Sequence, residues 1–340
     1  MGRSKKTITL AHGNGGRFSH ELVRTVFLTR FENRHLAELS DSAVLPNRGR
    51  RLSFTTDGYV VRPPFFPGGD IGRLAVCGTV NDLAVSGAVP AYMAAGFIIE
   101  EGFAISDLEK IADSMREAAG EADVMVVTGD TKVVEKGNAD GIFITTSGIG
   151  FLEDDHEFSP RRLQPGDRVL VSGTLGDHAV AIMRARNQFP LSVTVESDAA
   201  PLSGLIRDVL RRLPAGSVKV LRDPTRGGLA TTLNEFAAVS RRSIELDETA
   251  IPVKDEVRAV CELTGFDPLY LANEGKLVLG VAAEAADDAL EILTEHPFGK
   301  HAALIGEVTD DPLCRVYLST QAGGTRIVDM LTHDMLPRIC

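Results

Sequence analysis

The residues best suited to chemistry in this chain are a cysteine at the last position and a set of aspartates at turns. The sequence closes on Thr332-His333-Asp334-Met335-Leu336-Pro337-Arg338-Ile339-Cys340. Terminal residues fray and rarely join a core. The Cys340 sulfur is therefore expected to leave the body of the protein and visit more than one site, as a carried nucleophile does. A tail of residues 326–340, at about 3.3 Å per residue, reaches at most ~50 Å, enough to cross a domain cleft. Pro337 stiffens its approach. The aspartates are Asp41, Asp57, Asp82, Asp130 and Asp223, each beside glycines or small residues. Any one alone reads as a turn or cap residue. Together they point to Mg²⁺, which takes oxygen ligands and bridges them to phosphates. Two glycine-rich segments supply phosphate-binding candidates: Ala11-His12-Gly13-Asn14-Gly15-Gly16 and Thr225-Arg226-Gly227-Gly228. The second leads into a helix, whose first backbone N–H groups favour anions. Neither matches a Walker A motif, and no GxGxxG opens a helix in a βαβ unit.

These residues need elements to position them. Strand patterns occur at 52–56, 92–99, 124–128 and 142–146. Helices are expected over 71–86 and from a capping box at Ser106-Asp107-Leu108-Glu109, with Leu108, Ile111, Ala112 and Met115 on one face. An acidic turn at 153–157 marks a domain boundary near 157. Beyond it, helical stretches near 177–187, 203–213, 227–240, 254–264 and 284–295 mix with strands near 168–171, 217–222, 276–282, 302–308 and 314–318. That order suits α+β better than a doubly wound sheet. A hairpin-like stretch at 321–325 precedes the tail. The expected organisation is 1–157, 158–325 and a mobile tail over 326–340.

Composition narrows the function. The chain has 340 residues, is 44% hydrophobic and 24% charged, and fits a soluble protein of two domains. A net charge of −11 argues against a nucleic-acid surface. No apolar run approaches the roughly 20 residues that span a bilayer. The start, Met1 to Lys6, is charged with no apolar stretch behind it, so a cytoplasmic location without a signal peptide is expected. The four cysteines, Cys77, Cys261, Cys314 and Cys340, form no CxxC or zinc spacing. Cys77 and Cys261 sit in apolar helical stretches and read as inert core thiols, while Cys314 opens a strand-like run.

Taken in combination, Asp41, Thr55-Thr56-Asp57, Asn81-Asp82-Leu83-Ala84-Val85-Ser86-Gly87-Ala88, Gly129-Asp130-Thr131, Arg222-Asp223-Pro224-Thr225-Arg226-Gly227-Gly228-Leu229 and Ala272-Asn273-Glu274-Gly275 resemble the superfamily of aminoimidazole ribonucleotide (AIR) synthetase and selenophosphate synthetase. His12 to Gly16 and Pro337-Arg338-Ile339-Cys340 narrow the resemblance to the HypE family of [NiFe]-hydrogenase maturation proteins. Selenophosphate synthetases carry a reactive Cys or selenocysteine in the N-terminal glycine-rich segment; here that segment has none, and the thiol is at the other end.

The resemblance implies an α+β, two-domain AIR-synthetase-like (PurM-like) architecture. Its N-terminal α/β domain dimerises through its sheet, and its C-terminal α+β domain ends in the flexible tail. It also implies an activity. HypF loads a carbamoyl group onto the terminal cysteine, ATP-dependent dehydration yields a thiocyanate, and the cyanide passes to a HypC–HypD complex. By position, Asp41, Asp57, Asp82, Thr128, Gly129, Asp130, Asp223 and Asn273 are the implied ATP-binding residues, with Asp41, Asp82 and Asp223 on Mg²⁺. Lys132 and Glu274 are implied beside Cys340 as catalytic groups. On their own, Lys132 reads as a solvated surface lysine and Glu274 as a capping carboxylate. Two other readings fit the residues: a superfamily ligase or kinase acting on a small amide or phosphate, and a non-catalytic subunit whose tail docks on a partner.

Overall fold

A computed structural model of the protein describes residues 7–12, 17–37, 45–47, 51–152, 157–187, 194–331, 336 and 338–340. The N-terminal part begins with helices α1 (Arg17–Leu22) and α2 (Arg34–Ala37). It continues through β1 (Arg51–Tyr59), a small pair β2 (Phe65–Phe66) and β3 (Gly69–Asp70), and α3 (Ile71–Val85). It ends with β4 (Ala88–Glu100), α4 (Ile105–Glu121), β5 (Met125–Val134) and β6 (Ile142–Leu152). The main sheet has the order β1-β6-β4-β5. Strands β4 and β5 are parallel, joined through α4, and β6 runs antiparallel to both β4 and β1.

Strand alternation decides what each face of this sheet presents. Ile144, Thr146 and Gly148 of β6 pack on α3, with the Thr146 and Thr79 hydroxyls 2.5 Å apart. On β1 the same face carries Thr55, Asp57 and Tyr59. The other face is covered at one end, where Tyr92 packs against Leu45 and His35 of α2, and elsewhere exposes Leu52, Phe54 and Ile98.

Helix α3 lies under the sheet. Asp70 caps it, accepting from the Gly72 and Arg73 N–H groups at 2.7 and 3.0 Å, and also accepts from Ser114 of α4 at 2.5 Å. Such a cap is worth about 1 kcal/mol. Helix α4 starts one residue before the expected capping box, after Ala104, which makes no side-chain cap. Ser106 is already inside the helix, so its hydroxyl cannot serve as the cap. The predicted apolar face is nonetheless the buried one: Leu108, Ile111, Ala112 and Met115 are all fully covered.

The C-terminal part contains β7 (Arg168–Val171), α5 (Asp177–Ala185), α6 (Ser203–Arg212), β8 (Val218–Arg222), α7 (Gly228–Ser240) and β9 (Ser243–Asp247). It continues with α8 (Asp255–Thr264), β10 (Val278–Val281), α9 (Ala286–Glu295), β11 (Ala303–Thr309), β12 (Val316–Ser319) and β13 (Thr325–Val328). Its seven-stranded sheet has the order β13-β12-β9-β11-β7-β10-β8, antiparallel except for β9 and β12. Helices α6 and α9 cover one face, packing on Leu170, Leu221 and Leu279. Helix α7 covers the other, packing on Val169, Val220 and Val278. A sheet buried on both faces explains the continuous apolar runs of β7 and β10. The architecture is the expected α+β one. Strand β9 was not legible as a strand because three of its five residues, Ser243, Glu245 and Asp247, are polar. The expected tail boundary at 326 falls inside β13, which pairs with β12 and so belongs to the sheet.

The two parts meet on α3. Asn81 accepts from the Leu202 N–H at 2.7 Å and donates to the carbonyls of Ala200 at 3.1 Å and Glu274 at 3.4 Å. Arg73 donates to the Ala199 carbonyl at 2.9 Å. Replacing Asn81 with Ala strands buried backbone groups on the C-terminal side. We expect Asn81→Ala to cost about 2–4 kcal/mol, read as a lower urea midpoint.

Candidate functional site

The cleft between the two parts gathers four of the expected carboxylates. Asp57 lies on β1, Asp82 near the end of α3, Asp223 just after β8 and Glu274 in the loop before β10. Asp82 accepts from the Thr55 hydroxyl at 2.8 Å, and Asp57 from the Tyr59 hydroxyl at 2.9 Å. Their electrostatics show that they share one space. Burial, and next the charge of Asp82, push Asp223 up to about 7. Burial, followed by the charges of Asp198, Asp223 and Asp57, holds Glu274 well above the usual carboxylate range. Burial also raises Asp82, partly offset by the Thr55 hydroxyl and by Arg222 and Arg226. Glu274 is 3% exposed and its Oε1 has no hydrogen-bond partner.

Helix α7 aims its N-terminus into this cleft, as the Thr225-Arg226-Gly227-Gly228 segment predicted. Gly227 and Gly228 have φ of 77° and 60°. A Cβ on Gly228 would sit 2.6 Å from the Leu269 carbonyl oxygen, so only glycine fits there.

The end of the chain is docked next to Gly58, Arg226 and Gly227, at the mouth of the α7 helix, rather than frayed. The Cys340 carbonyl accepts from the Val60 N–H at 3.0 Å. The Ile339 carbonyl is 2.8 Å from His178 Nε2, and Arg186 donates to the Arg338 carbonyl at 2.6 Å. Arg338 pairs with Asp140. Leu336 and Ile339 are buried in an apolar cluster that joins the N-terminal part to α5 and α8. An apolar Ile339 side chain with hydrogen-bonded main chain on both sides offsets the entropy of ordering the end. Beside Cys340 is a cavity of about 460 Å³, lined also by Gly58, Val60, Arg226, Gly227 and Thr231. The two buried cysteines are inert as expected: burial pushes the Cys77 thiol up to about 12 and the Cys261 thiol up to about 11.

Other expected residues are not brought here. Thr128, Asp130 and Lys132 lie on β5, the edge strand farthest from β1. Their β4 partners Ala94, Gly96 and Ile98 pair with Ser147, Thr145 and Phe143 of β6, on the face turned away from α3. Lys132 is exposed and pairs with Asp130 at 2.9 Å. Within one chain it is therefore not beside the thiol: Lys132 and Glu274 occupy opposite faces of the sheet. Gly129 is explained by packing, since a Cβ would approach the Ala95 carbonyl oxygen at 2.5 Å. Asn273 is also not an open ligand. Its Nδ2 donates to the Pro224 and Leu271 carbonyls, both at 3.0 Å, and its Oδ1 accepts from the Gly176 N–H at 2.8 Å. It braces the loop that carries Asp223. Asp41 and residues 13–16 lie outside the described residues.

The sequence reading missed Asp198, Lys276 and His178. Lys276 and Asp198 form a buried ion pair at 2.9 Å. Burial alone would raise Asp198, but its pairing with Lys276 and the Glu274 backbone N–H act against burial, and the carboxyl is held below its usual range. Asp198 accepts from the Glu274 and Gly275 N–H groups at 3.2 and 3.3 Å, so it fixes the backbone of the Glu274 loop. Only the ionisable residue in an apolar run, as at Lys276 before Leu277, hinted at this.

Among the described residues no group of three or more His, Cys, Asp or Glu side chains forms a ready metal site. Asp82 and Asp223 nonetheless fit a hard divalent cation. They offer oxygen only, neither is in an ion pair among the described residues, and the charge of Asp82 resists that of Asp223. No helix among the described residues is long and apolar enough to cross a membrane.

Comparison with known proteins agrees with this geometry. Residues 39–152 match the N-terminal domain, and 164–319 the C-terminal domain, of AIR synthase related proteins. The chain is 51% identical over 333 residues to the carbamoyl dehydratase HypE of Rhizobium leguminosarum bv. viciae, covering 98% of this chain and 95% of that relative. A crystal structure of the hydrogenase maturation protein HypE in complex with ATP superposes with a TM-score of 0.93 at 47% identity, covering 98% of this chain and all of that one. The HypE of a HypE–HypF complex superposes with a TM-score of 0.80 at 47% identity, over 93% of this chain and 100% of that chain. Terminal thiol, carboxylate cleft and full-length likeness converge: the chain belongs to the HypE family of carbamoyl dehydratases, among the AIR synthase related proteins.

Proposed function

We propose that this protein is an ATP-dependent carbamoyl dehydratase that acts on its own Cys340, turning a carbamoylated sulfur into a thiocyanate that supplies the cyanide ligand of [NiFe]-hydrogenase iron. The observation that carries this reading is the docking of Cys340 beside Arg226 and the N-terminus of α7, where Arg226 is near enough to Asp82 and Glu274 for its charge to act on both. In the reaction the carbamoyl carbon loses its oxygen and the nitrogen loses both hydrogens. Amide oxygen is a poor leaving group, and ATP supplies the phosphorus that carries it off. The α7 N-terminus and Arg226 are placed to receive phosphate charge. Asp82 and Asp223 would hold Mg²⁺, which neutralises that charge when bound. Glu274 has a raised proton affinity, which suits it to take a proton from nitrogen once it is ionised.

By analogy with its relatives, HypF is the carbamoyl donor partner and a HypC–HypD complex the acceptor of the cyanide. The cytoplasm, where a terminal thiol stays reduced, is the fitting compartment. The exposed apolar residues Leu52, Phe54 and Ile98 on the sheet face away from α3 suit a homodimer. Because Lys132 lies on that same face, a role for it in dehydration would have to cross the dimer.

Intact mass after incubation with HypF, carbamoyl phosphate and ATP tests the reaction. Cys340 should gain a carbamoyl group and then lose the mass of water, and Cys340→Ala should gain neither. With heavy oxygen in the carbamoyl group, the label should appear in inorganic phosphate; label in water instead would sink the mechanism.

Asp82→Asn and Asp223→Asn keep shape and remove charge. Each should weaken Mg²⁺–ATP binding about tenfold, the worth of one charge-assisted contact, while loading by HypF is less affected. Calorimetric titration reads the binding, and unchanged affinity in both would remove them from the site.

The protein should sediment as a dimer at micromolar concentration, and Phe54→Arg should shift it toward monomer. Mixed dimers of Lys132→Ala with Glu274→Gln should regain dehydration that neither variant shows alone. No recovery would exclude Lys132 from acting across the interface.

A further inference from the structure

Loading by a partner and dehydration in the cleft require the tail to leave and return, a requirement that rests on the function proposed above. The contacts that hold the tail differ in burial. Arg338 pairs with Asp140 and donates from Nε to the Val60 carbonyl at 3.0 Å, and both side chains of the pair are about a third exposed, at 32% and 35%. Water and salt compete for such contacts. The contact at Ile339 is different. His178, at the start of α5, is 0% exposed, and its Nε2 is 2.8 Å from the Ile339 carbonyl oxygen. The ring of Phe66 packs edge-on against it, with centroids 5.5 Å apart.

The hydrogen-bond network settles which nitrogen carries the hydrogen. His178 Nδ1 is 2.8 Å from Ser197 Oγ. At Nε2 the partner is the Ile339 carbonyl, which can only accept, so Nε2 carries the hydrogen. In the neutral ring Nδ1 is then the acceptor, and the Ser197 hydroxyl donates to it while its oxygen accepts from the Ala199 N–H at 3.2 Å. Burial lowers the basicity of the ring, in keeping with this neutral form. The next residue, Asp198, holds the Glu274 backbone at 3.2 Å. One dipeptide, Ser197-Asp198, thus braces both the ring that holds the tail and the loop that carries the buried carboxylate.

We propose that His178 is the positioning residue that seats the C-terminal tail: its Nε2–H holds the Ile339 carbonyl and so places the Cys340 sulfur in the cleft, with Ser197 setting the tautomer. His178 touches no reacting atom. It acts through the main chain next to the thiol.

Alkylation of the full chain by iodoacetamide, followed by peptide mass, reads how often the tail is undocked. Cys314, half-buried on the loop before β12, is the internal reference. His178→Leu keeps bulk and removes the donor. It should speed Cys340 alkylation about tenfold, as the loss of one buried hydrogen bond does, and leave Cys314 unchanged. His178→Gln, whose amide N–H reaches the same carbonyl, should return the rate to near that of the parent. An unchanged Cys340 rate in His178→Leu, with Cys77 and Cys261 still protected, overturns the proposal. If Cys77 and Cys261 react, the leucine variant has unfolded and Ser197→Ala decides: a faster Cys340 supports the seat and an unchanged one refutes it. With HypF and ATP present, His178→Leu should slow dehydration and not loading; equal slowing of both would also overturn it. The alkylation arm needs neither ATP nor a partner, so it succeeds or fails separately from the dehydratase reading.

Discussion

Everything in this molecule leans on a helix with no solvent face. Twelve of the fifteen residues of α3 are buried, which leaves no side on which polar residues could collect. It is covered by the N-terminal sheet, by α4, and by the α6 and β8 region of the C-terminal part. Close approach on every side requires small residues: Gly72 lies against the Ile111 carbonyl of α4, and Gly78 against the Tyr59 hydroxyl. Of the helix's two fully buried polar side chains, Thr79 bonds to Thr146 of the N-terminal sheet, and Asn81 is there because its hydrogen bonds tie it to the other part of the protein. Asp82 follows immediately, so the residue that locks the two parts together also delivers a carboxylate to the cleft between them.

That cleft is electrostatically unbalanced by construction. Burial and neighbouring negative charge together raise Asp82, Asp223 and Glu274, the charge of Asp57 acting on all three. Elsewhere the chain pairs its buried charges, as Lys276 with Asp198 and Lys254 with Asp177. Unpaired carboxylates facing the positive end of a helix make sense as a site whose charge is completed by what binds. The strain is tolerated because neighbouring loops are over-determined. Asn273 spends its side chain on three backbone groups, and Asp198 clamps the turn behind Glu274.

The tail joins this arrangement as an extra segment of the fold. It runs beside the end of β1, its Cys340 carbonyl accepting from the Val60 N–H and its Arg338 side chain donating to the Val60 carbonyl, and its one buried large side chain next to the thiol is Ile339. This amounts to modest apolar area and a few hydrogen bonds, most of them at the surface. Such an end is held without being locked, which suits a group that must be handed over and taken back.

Much of this was legible in the residues. Apolar periodicity located most helices and strands because burial on one face leaves a period in the sequence. The Gly227-Gly228 pair announced a helix start, and the aspartates announced a charged site, although Asp57 lies in β1, Asp82 in α3 and Asp130 in β5 rather than at the expected turns. Cys77 and Cys261 read correctly as core thiols from their apolar neighbours. What stayed hidden depends on contacts distant along the chain. Nothing local says that Asn273 is a brace, that Asp198 meets Lys276, or that His178 reaches Ile339, 161 residues away. Nor can local pattern tell that Lys132 and Glu274 face opposite ways, since that follows from strand order and pleat. Sequence alone determined the chemistry available, the elements and their apolar faces, because these depend on residue type and short spacing. Tertiary structure decided which carboxylates meet, where the thiol rests and which side of the sheet each group occupies, because those depend on the packing of segments that only folding brings together.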